Sequence, residues 1–228
     1  MPSIRRAPVL AGIAVGVLGL AASPAAAAQN RTLVLDATDP LAAKALQICY
    51  DVHQLSSWPH YNNDCRISYT PSSYQTAPGP EHQVGDRVLN YASTTVTHTL
   101  AWSDTVTSSD SFEVGSSVKS AVWGVAEAAV TAKYTKTWTR SSTVSQTNSL
   151  PVPACNVAWF GRAAEMGTAT GDLRLDFEAG TKIRSGTKKL YRHVVINNST
   201  FSAPTGRNDL IIARSRAMTP EERTACAS

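Results

Sequence analysis

The segment TTVTHTLAWSDTVTSSDSF, from Thr94 to Phe112, decides the fold class of this chain. Threonine or serine stands at nearly every second position, proline is absent, and Val, Leu, Trp and Phe recur between the hydroxyl residues. β-branched side chains favour an extended backbone, and alternation is typical of a strand with two unlike faces. Hydroxyl side chains tolerate both contact with apolar packing and contact with water. We therefore predict a strand that faces apolar packing in one state of the protein and water in another.

The same composition extends to both sides of this strand. Serine and threonine make up 24 of the 57 residues from Ser93 to Ser149, a share that raises low-complexity disorder as an alternative. Regularly spaced Val, Trp, Tyr and Phe residues favour strands instead. Alternation resumes in NVAWF and DLRLDFEA, and we expect KKLYRHVVI and DLIIARS to form a further strand pair. The predicted fold class is mainly β: an elongated antiparallel β-sheet protein with long Ser/Thr-rich strands and an insertion hairpin, beside a small α/β N-terminal region.

The less polar segment between the two Ser/Thr-rich stretches is predicted to be this hairpin. Residues 112–122 form one limb and residues 126–134 the other, each about the 9–11 residues that a tilted strand needs to cross a bilayer. The predicted membrane-inserting residues are Phe112, Val114, Val118, Val122, Trp123, Val125, Ala128, Val130, Ala132 and Tyr134, with Trp123 and Val125 at the turn. The predicted lumen-facing residues are Glu113, Lys119, Glu127 and Lys133.

Two other interpretations fit the same segment. The alternation also fits a hairpin with one face on a soluble core and the other in water. The stretch AVWGVAEAAVTAKY fits a helix as well, with one apolar stripe made of Val122, Val125, Ala126, Ala129 and Val130. Gly124 and the Thr-rich flanks argue against a long helix, but a short helix before insertion is compatible with the pattern. A lone hairpin in lipid leaves its edge N–H and C=O groups unpaired, so insertion requires several copies that close a barrel.

Two stretches of this region resemble the pore-forming module of the aerolysin-like toxins, in particular the epsilon-toxin/Mtx2 group. They read VLNYASTTVTHTLAWSDTVTSSDSFEVGSSVKS and AVTAKYTKTWTRSSTVSQTNSLPVPACNVAWF. The shared order is an asparagine (here Asn90), a Thr-rich limb, a less polar insertion segment, a second Ser/Thr limb and a VP element (here residues 151–153). The resemblance covers residues 86–177, which is under half of the mature chain.

The resemblance implies a soluble, elongated, β-rich monomer that acts on a membrane. Such a protein binds a target-cell membrane, in some cases through a glycan or protein receptor, forms a homo-oligomer there and inserts one hairpin per subunit. The insertion segment then corresponds to residues 116–134. The alternative function is a secreted, non-lytic, lectin-like β-rich binding protein.

The N-terminus has the pattern of a signal peptide. Arg5 and Arg6 form a basic start, residues 9–20 are apolar, and small alanines end at Ala28, where we expect cleavage. The protein is therefore predicted to be secreted into the extracellular space. The predicted organisation is a signal peptide over 1–28, a small N-terminal region over 29–85, and an aerolysin-like pore-forming module with a C-terminal tail over 86–228.

The small N-terminal region contains one strand, one helix and aromatic loops. TLVLDA predicts the strand over 32–37, and Thr38 or Asp39 can cap a helix that has Pro40 at its first position. Two stretches rich in proline, asparagine and aromatic residues follow, SSWPHYNNDC and YTPSSYQTAPGPEH, and we predict both to be loops. Their aromatic residues are candidates for surface binding or for packing against a sheet: Trp58, Tyr61, Tyr69 and Tyr74.

The mature chain holds four cysteines, an even count typical of disulfides in an exported protein. We favour a local bridge, Cys49–Cys65, and a second bridge, Cys155–Cys226, that joins the C-terminal tail to the body. A zinc site made of Cys49, His53, His60 and Cys65 is the competing interpretation, and oxidising surroundings disfavour it. We predict no metal ion and no other cofactor.

Charge and motifs favour neither nucleic-acid binding nor catalysis. The formal net charge is +4, and no basic stripe is interleaved with aromatic residues. Ser116 and Lys119 have the S-x-x-K spacing of serine enzymes, but in a strand they face opposite ways, and the partner motifs are absent. The five histidines lie apart in the sequence, without a nucleophile and carboxylate pattern. We therefore predict a protein that is not an enzyme.

Overall fold

The computed structural model describes residues 31–57 and 63–226, and the prediction of a mainly β fold is confirmed. The predicted signal peptide with its cleavage site lies outside these residues, as do Trp58 and Tyr61. The helices are α1 (Pro40–Leu55), α2 (Ser116–Tyr134) and a short 3-10 helix (Glu222–Ala225). The strands are β1 (Thr32–Asp36), β2 (Cys65–Pro78), β3 (His82–Asn90), β4 (Val96–Thr107), β5 (Ser109–Asp110), β6 (Ser141–Val152), β7 (Asn156–Ala163), β8 (Glu165–Thr181), β9 (Tyr191–Pro204) and β10 (Leu210–Ala217).

A large sheet carries the main core. Its strand order is β1-β9-β8-β2, and the short β5 also pairs with β9. β1 runs parallel to β9, whereas the other pairs are antiparallel. β8 alternates as its sequence predicts, because Leu173, Leu175 and Phe177 are buried while Arg174 between them is exposed. The helices α1 and α2 pack on the buried side, so the opposite side of the sheet keeps a polar face.

α1 begins where the sequence predicts. Asp39 is its N-cap and accepts a hydrogen bond from the Leu41 backbone N–H at 2.8 Å, while Pro40 stands at the first helical position, where no backbone donor is required. One stripe of the helix enters the core and consists of Ala42, Ala45, Leu46, Cys49 and Val52. The helix is thus held by both a local cap and burial.

The Ser/Thr-rich strands form a two-stranded ribbon, β4 paired with β6, which we call the ribbon. Its register runs from Val96 opposite Val152 to Thr107 opposite Ser141 without a shift. One face packs against a three-stranded sheet of order β10-β7-β3 through a second apolar cluster that includes Trp102, Leu150 and Phe160. The other face is exposed and rich in hydroxyl residues, as the alternation predicts.

The prediction of a loop for YTPSSYQTAP is wrong, because residues 69–78 belong to strand β2. β2 lies at the edge of the large sheet, where a residue without a backbone N–H is tolerated, and the pairing with β8 shifts at Pro71. Gly171 of β8 permits this close approach, because a Cβ there would lie 2.2 Å from the Thr70 carbonyl oxygen. Pro71 therefore marks an irregularity in an edge strand and not a loop.

The predicted pairing of KKLYRHVVI with DLIIARS is wrong. The first segment enters β9, which pairs with β8, β1 and β5, and the second is β10, which pairs with β7. The predicted boundary between residues 85 and 86 falls within β3, and residues on both sides of it enter one core that includes Leu33 and Leu173.

The predicted hairpin is not the conformation that this structure has. Residues 116–134 form a single 19-residue helix, α2. The helical interpretation of this segment describes the observed state, but the expectation that such a helix is short is wrong. The physical reason is burial: Val118, Val122, Ala126 and Val130 recur every four residues, so one face of the helix places all of them in the core.

Both predicted disulfides are confirmed. Cys49 of α1 bonds to Cys65 of β2, and Cys155 bonds to Cys226 after the 3-10 helix. With both sulfurs oxidised, Cys49 and Cys65 cannot act as zinc thiolates, which removes the competing interpretation. Two disulfides are consistent with an extracellular protein.

Candidate functional site

The candidate site is α2 together with the parts of the large sheet that hold it. Its buried residues are Val118, Val122, Trp123, Ala126 and Val130, each at most 4% exposed. Of these five, all but Ala126 are predicted membrane-inserting residues. The other six predicted residues have mixed environments: Phe112 is buried ahead of the helix, Val114, Val125 and Tyr134 are half-buried, and Ala128 and Ala132 are exposed. The helix thus buries four of the ten residues that the hairpin prediction assigns to lipid, and it partly buries Val125 and Tyr134.

α2 docks against a cluster of aromatic side chains, and we call this docking surface the seat of the helix. Trp123 meets Phe201 of β9 edge-on, with ring centroids 5.3 Å apart, and lies 5.6 Å from Trp138 on the segment that leaves α2. Phe112 and Tyr69 also approach Phe201, at 6.0 and 5.0 Å. Such pairs contribute about 0.5–1.5 kcal/mol each beyond the area that they bury. The cluster therefore favours the docked position of α2.

A buried carboxylate joins the helix to the sheet. The Asp110 side chain is 2% exposed, and its Oδ2 accepts a hydrogen bond from Trp123 Nε1 at 2.8 Å. Lys119 Nζ lies 3.3 Å from the same oxygen, and Oδ1 accepts from the Phe112 backbone N–H at 3.0 Å. A buried charge needs such partners. Since Asp110 belongs to β5, which pairs with β9, these contacts connect α2 to the large sheet.

The two ends of α2 are weakly held by local structure. Gly115 at the N-cap makes no side-chain capping bond, and Thr135 at the C-cap has a φ of 54°, in the left-handed region that disfavours a β-branched residue. Lys133 Nζ donates to the Pro71 carbonyl oxygen of β2 at 2.5 Å. The helix therefore depends on tertiary contacts more than on its own caps.

Trp138 is held by packing alone. Its indole Nε1 is buried and has no hydrogen-bond partner among the described residues. The ring lies above Gly167, where an added Cβ would come within 2.7 Å of Nε1 and 2.2 Å of the Tyr74 hydroxyl oxygen. Trp123 and Trp138 thus differ in one respect that an experiment can use, because only Trp123 makes a polar bond.

The four predicted lumen-facing residues do not converge in the helical state. Glu113 lies exposed ahead of α2, Glu127 is half-buried, Lys119 contacts Asp110, and Lys133 contacts β2. Sequence reasoning overlooked Asp110, Trp138 and Phe201. The one local signal for Asp110 is its own turn, in which the side chain accepts from the backbone N–H two residues later.

Of the four aromatic residues predicted for surface binding, the structure describes Tyr69 and Tyr74, and these two do not form an exposed platform. Tyr69 is 6% exposed and its hydroxyl donates to the Ser199 carbonyl oxygen at 3.2 Å, and this burial raises its pKa above the ordinary value. Tyr74 is half-buried between Tyr134 and Trp138. Both tyrosines therefore pack within the protein, which is the second of the two roles considered for them.

A buried arginine clamps the ribbon to the three-stranded sheet. Arg162 of β7 is fully buried and donates to Asp104 of β4 at 2.7 Å and to Asp209 at 2.6 Å. His82 lies 2.9 Å from the same Asp104 oxygen. Burial opposes ionisation of Asp104, but the bonds from Arg162 and His82 outweigh it and hold the pKa of Asp104 below its ordinary value.

The ribbon ends where the chain turns toward α2. Its last pair is Thr107 opposite Ser141, and the Ser108 N–H still bonds to the Arg140 carbonyl oxygen at 2.8 Å. Beyond this point the two chains separate, because β5 pairs with β9 and Thr139 bonds to the Pro204 carbonyl oxygen. α2 is thus the connection between two strands that are already paired and in register.

No family model and no curated protein matches this chain. No α-helix in the described ranges 31–57 and 63–226 combines the length and the apolar character that crossing a membrane requires. Among solved structures, the chain is similar to the crystal structure of parasporin-2, a Bacillus thuringiensis toxin that recognizes cancer cells. The similarity covers 69% of this chain and 78% of that chain, at 16% identity and a TM-score of 0.30.

Proposed function

We propose that this chain is a secreted, aerolysin-like pore-forming protein. It oligomerises on a target membrane, α2 leaves its seat, and residues 112–134 become a β-hairpin that joins hairpins of other subunits in a transmembrane β-barrel. The partners are the target-cell membrane, with a glycan or protein receptor, and further copies of this chain. The resemblance in residues 86–177 supports the class of function, and the register of the ribbon supports the mechanism.

The observation that carries the proposal is the result of continuing the ribbon register. The same antiparallel register pairs Val114 with Tyr134, Val118 with Val130, and Val122 with Ala126, and leaves Gly124 at the centre of the turn. These pairs fall on the face of the ribbon that now packs on the three-stranded sheet. The exposed hydroxyl face continues into Glu113, Ser117 and Lys119. One continuous amphipathic hairpin therefore results without any slip in pairing.

The energetics require several copies. Removing α2 from the core exposes five buried side chains, and each large apolar one loses about 1.5–3 kcal/mol of burial. Lipid restores that burial, but an isolated hairpin leaves unpaired backbone groups that cost several kcal/mol each in hydrocarbon. Pairing with neighbouring hairpins satisfies those groups, so insertion and oligomerisation have to be coupled.

A pair of adjacent labels tests the hairpin directly. Ala132 and Thr131 are both exposed on α2, but the extended register places Ala132 on the lipid face and Thr131 on the lumen face. We expect an environment-sensitive dye on Ala132→Cys to shift to an apolar signal on vesicles, while the same dye on Thr131→Cys keeps an aqueous signal. Fluorescence spectra are recorded in parallel with release of an entrapped dye.

The same pair of labels separates the proposal from its rivals. An alternating strand is contradicted if both labels remain in water while the vesicles leak. It is equally contradicted if both labels enter lipid. Binding to vesicles without any leakage favours the non-lytic alternative. Labels at Ala128 and Ala129 repeat the test one turn earlier in the helix, with Ala128 on the predicted lipid face.

Loss of the indole bond to Asp110 should loosen α2. We expect Trp123→Phe to lower the free energy of unfolding by about 1.5–3 kcal/mol more than Trp138→Phe, because only the first removes a hydrogen bond to a buried charge. We also expect faster dye release from Trp123→Phe. Urea denaturation and the leakage rate measure the two effects, and equal losses in the two variants contradict the role given to Asp110.

A further inference from the structure

One part of the chain is strongly basic. Between Glu178 and Asp209 there is no Asp or Glu, and this interval holds six Lys and Arg residues: Lys182, Arg184, Lys188, Lys189, Arg192 and Arg207. The mature chain predicted to start after Ala28 has a formal charge of +2, so the rest of it is net acidic. The small net charge is therefore the sum of one strongly basic interval and a net acidic remainder.

The fold gathers most of this charge in one loop. Residues 182–190 connect β8 to β9, and we call them the basic loop. Lys182, Arg184, Lys188 and Lys189 are exposed on it, whereas Ile183 is 1% exposed and anchors the loop in the core. The loop closes one end of the β8–β9 pair, and the ribbon joins at the other end, near Pro204. The 14 residues of β9 separate the two ends by roughly 45 Å.

The basic loop forms a concave surface together with α1. A cavity of about 450 Å³ is lined by Lys44 of α1 and residues 182–188, and Lys44 Nζ donates to Ser185 Oγ at 3.2 Å. Lys44, Lys182, Arg184, Lys188 and Lys189 form no ion pair with any carboxylate in the described part of the chain. Five uncompensated cations at one end of a sheet repel one another, and an anion relieves that repulsion.

We propose that the basic loop, with Lys44, binds the phosphate groups of anionic lipid headgroups and is the first contact of this protein with a membrane. The site is a compact cluster at the end of a long sheet, which suits contact with a flat charged surface. It lacks both the extended basic stripe and the interleaved aromatic residues that nucleic-acid binding requires. The choice of a membrane as partner rests on the proposed function, but the binding chemistry rests on the loop itself.

A charge-removal variant tests this surface. Lys182→Gln, Arg184→Gln, Lys188→Gln and Lys189→Gln are combined in one protein, and its binding to phosphatidylcholine–phosphatidylserine vesicles is measured by co-sedimentation. We expect affinity to fall about a hundredfold or more at low salt, because each basic residue near an anionic surface contributes to binding. Wild-type affinity should fall with added salt, and pure phosphatidylcholine vesicles should bind weakly.

The matched control removes the same charge elsewhere. Arg87, Lys136, Arg207 and Arg223 are also exposed and outside the ion pairs of the described residues, and we expect their combined change to Gln to weaken vesicle binding severalfold at most. Lysines 182, 188 and 189 changed to Arg should retain binding. Circular dichroism and thermal melting establish that each variant is folded.

Three results overturn the proposal: equal loss in the loop variant and its control, equal binding to neutral and anionic vesicles, or duplex DNA that displaces vesicles and binds more tightly. A fourth overturning result is displacement of vesicles by inorganic phosphate at constant ionic strength, which indicates a small-anion site instead of a membrane contact. Because binding is measured without leakage, failure here leaves the proposed pore untouched, and failure of the hairpin labels leaves this surface untouched.

Discussion

Tethering α2 to the large sheet abolishes dye release and leaves vesicle binding unchanged: this is the result we expect for Ile67→Cys and Val125→Cys joined by a short bismaleimide. Ile67 of β2 and Val125 of α2 line the same groove, of about 500 Å³, and both are half-buried. The tether stops the helix from leaving its seat, so the register of the ribbon cannot extend. Mass spectrometry confirms one cross-link and two intact native disulfides.

The control tether joins two strands that the proposal keeps together. Thr70 of β2 and Asp172 of β8 lie directly opposite each other and are exposed, so the same reagent on cysteines at these positions leaves α2 free. Dye release should persist in this control and in the Ile67/Val125 variant labelled with a monofunctional maleimide. Leakage from the fully cross-linked Ile67/Val125 protein contradicts the assignment of residues 112–134 as the inserting hairpin.

Arg162→Met should lower the free energy of unfolding by about 3–5 kcal/mol, because it leaves Asp104 and Asp209 as partly buried carboxylates without their cation. Urea denaturation followed by circular dichroism measures this loss. The loss should also loosen the ribbon, since Asp104 belongs to β4 and Arg162 to β7.

Arg174→Met is the matched comparison. Arg174 also pairs with an aspartate, Asp176, but its side chain is 51% exposed, so removal of the pair should cost under about 1 kcal/mol. A triple variant that adds Asp104→Asn and Asp209→Asn to Arg162→Met should recover part of the loss, because no uncompensated charge then remains. Equal destabilisation by Arg162→Met and Arg174→Met contradicts the role of burial in the clamp.

The ambiguity of α2 has a simple geometric cause. Val118, Val122, Ala126 and Val130 are four residues apart, so they share one face of a helix and equally one face of a strand. The pattern therefore permits both conformations. The contacts that select the helix come from elsewhere in the chain, from Asp110 on β5 and Phe201 on β9, and no local pattern reports them.

Several features of this protein follow from the sequence by itself. Alternation of β-branched and hydroxyl residues determines the strands of the ribbon, and Asp39 and Pro40 determine the start of α1. An even number of cysteines behind a predicted signal peptide indicates two disulfide bridges. Alternation and capping are local, because each acts over a few neighbouring residues. The even cysteine count is a property of composition, whereas the bridges themselves join residues 16 and 71 positions apart.

Only the tertiary structure decides which strands pair, where tyrosines are buried and which cations gather. β9 pairs with β8 and β1 instead of β10, Tyr69 points into the core, and the basic loop meets Lys44 from a helix about 140 residues earlier in the chain. Each outcome depends on contacts between residues far apart in the chain. The periodicity of a segment states which face is apolar, but not which surface of the molecule covers that face.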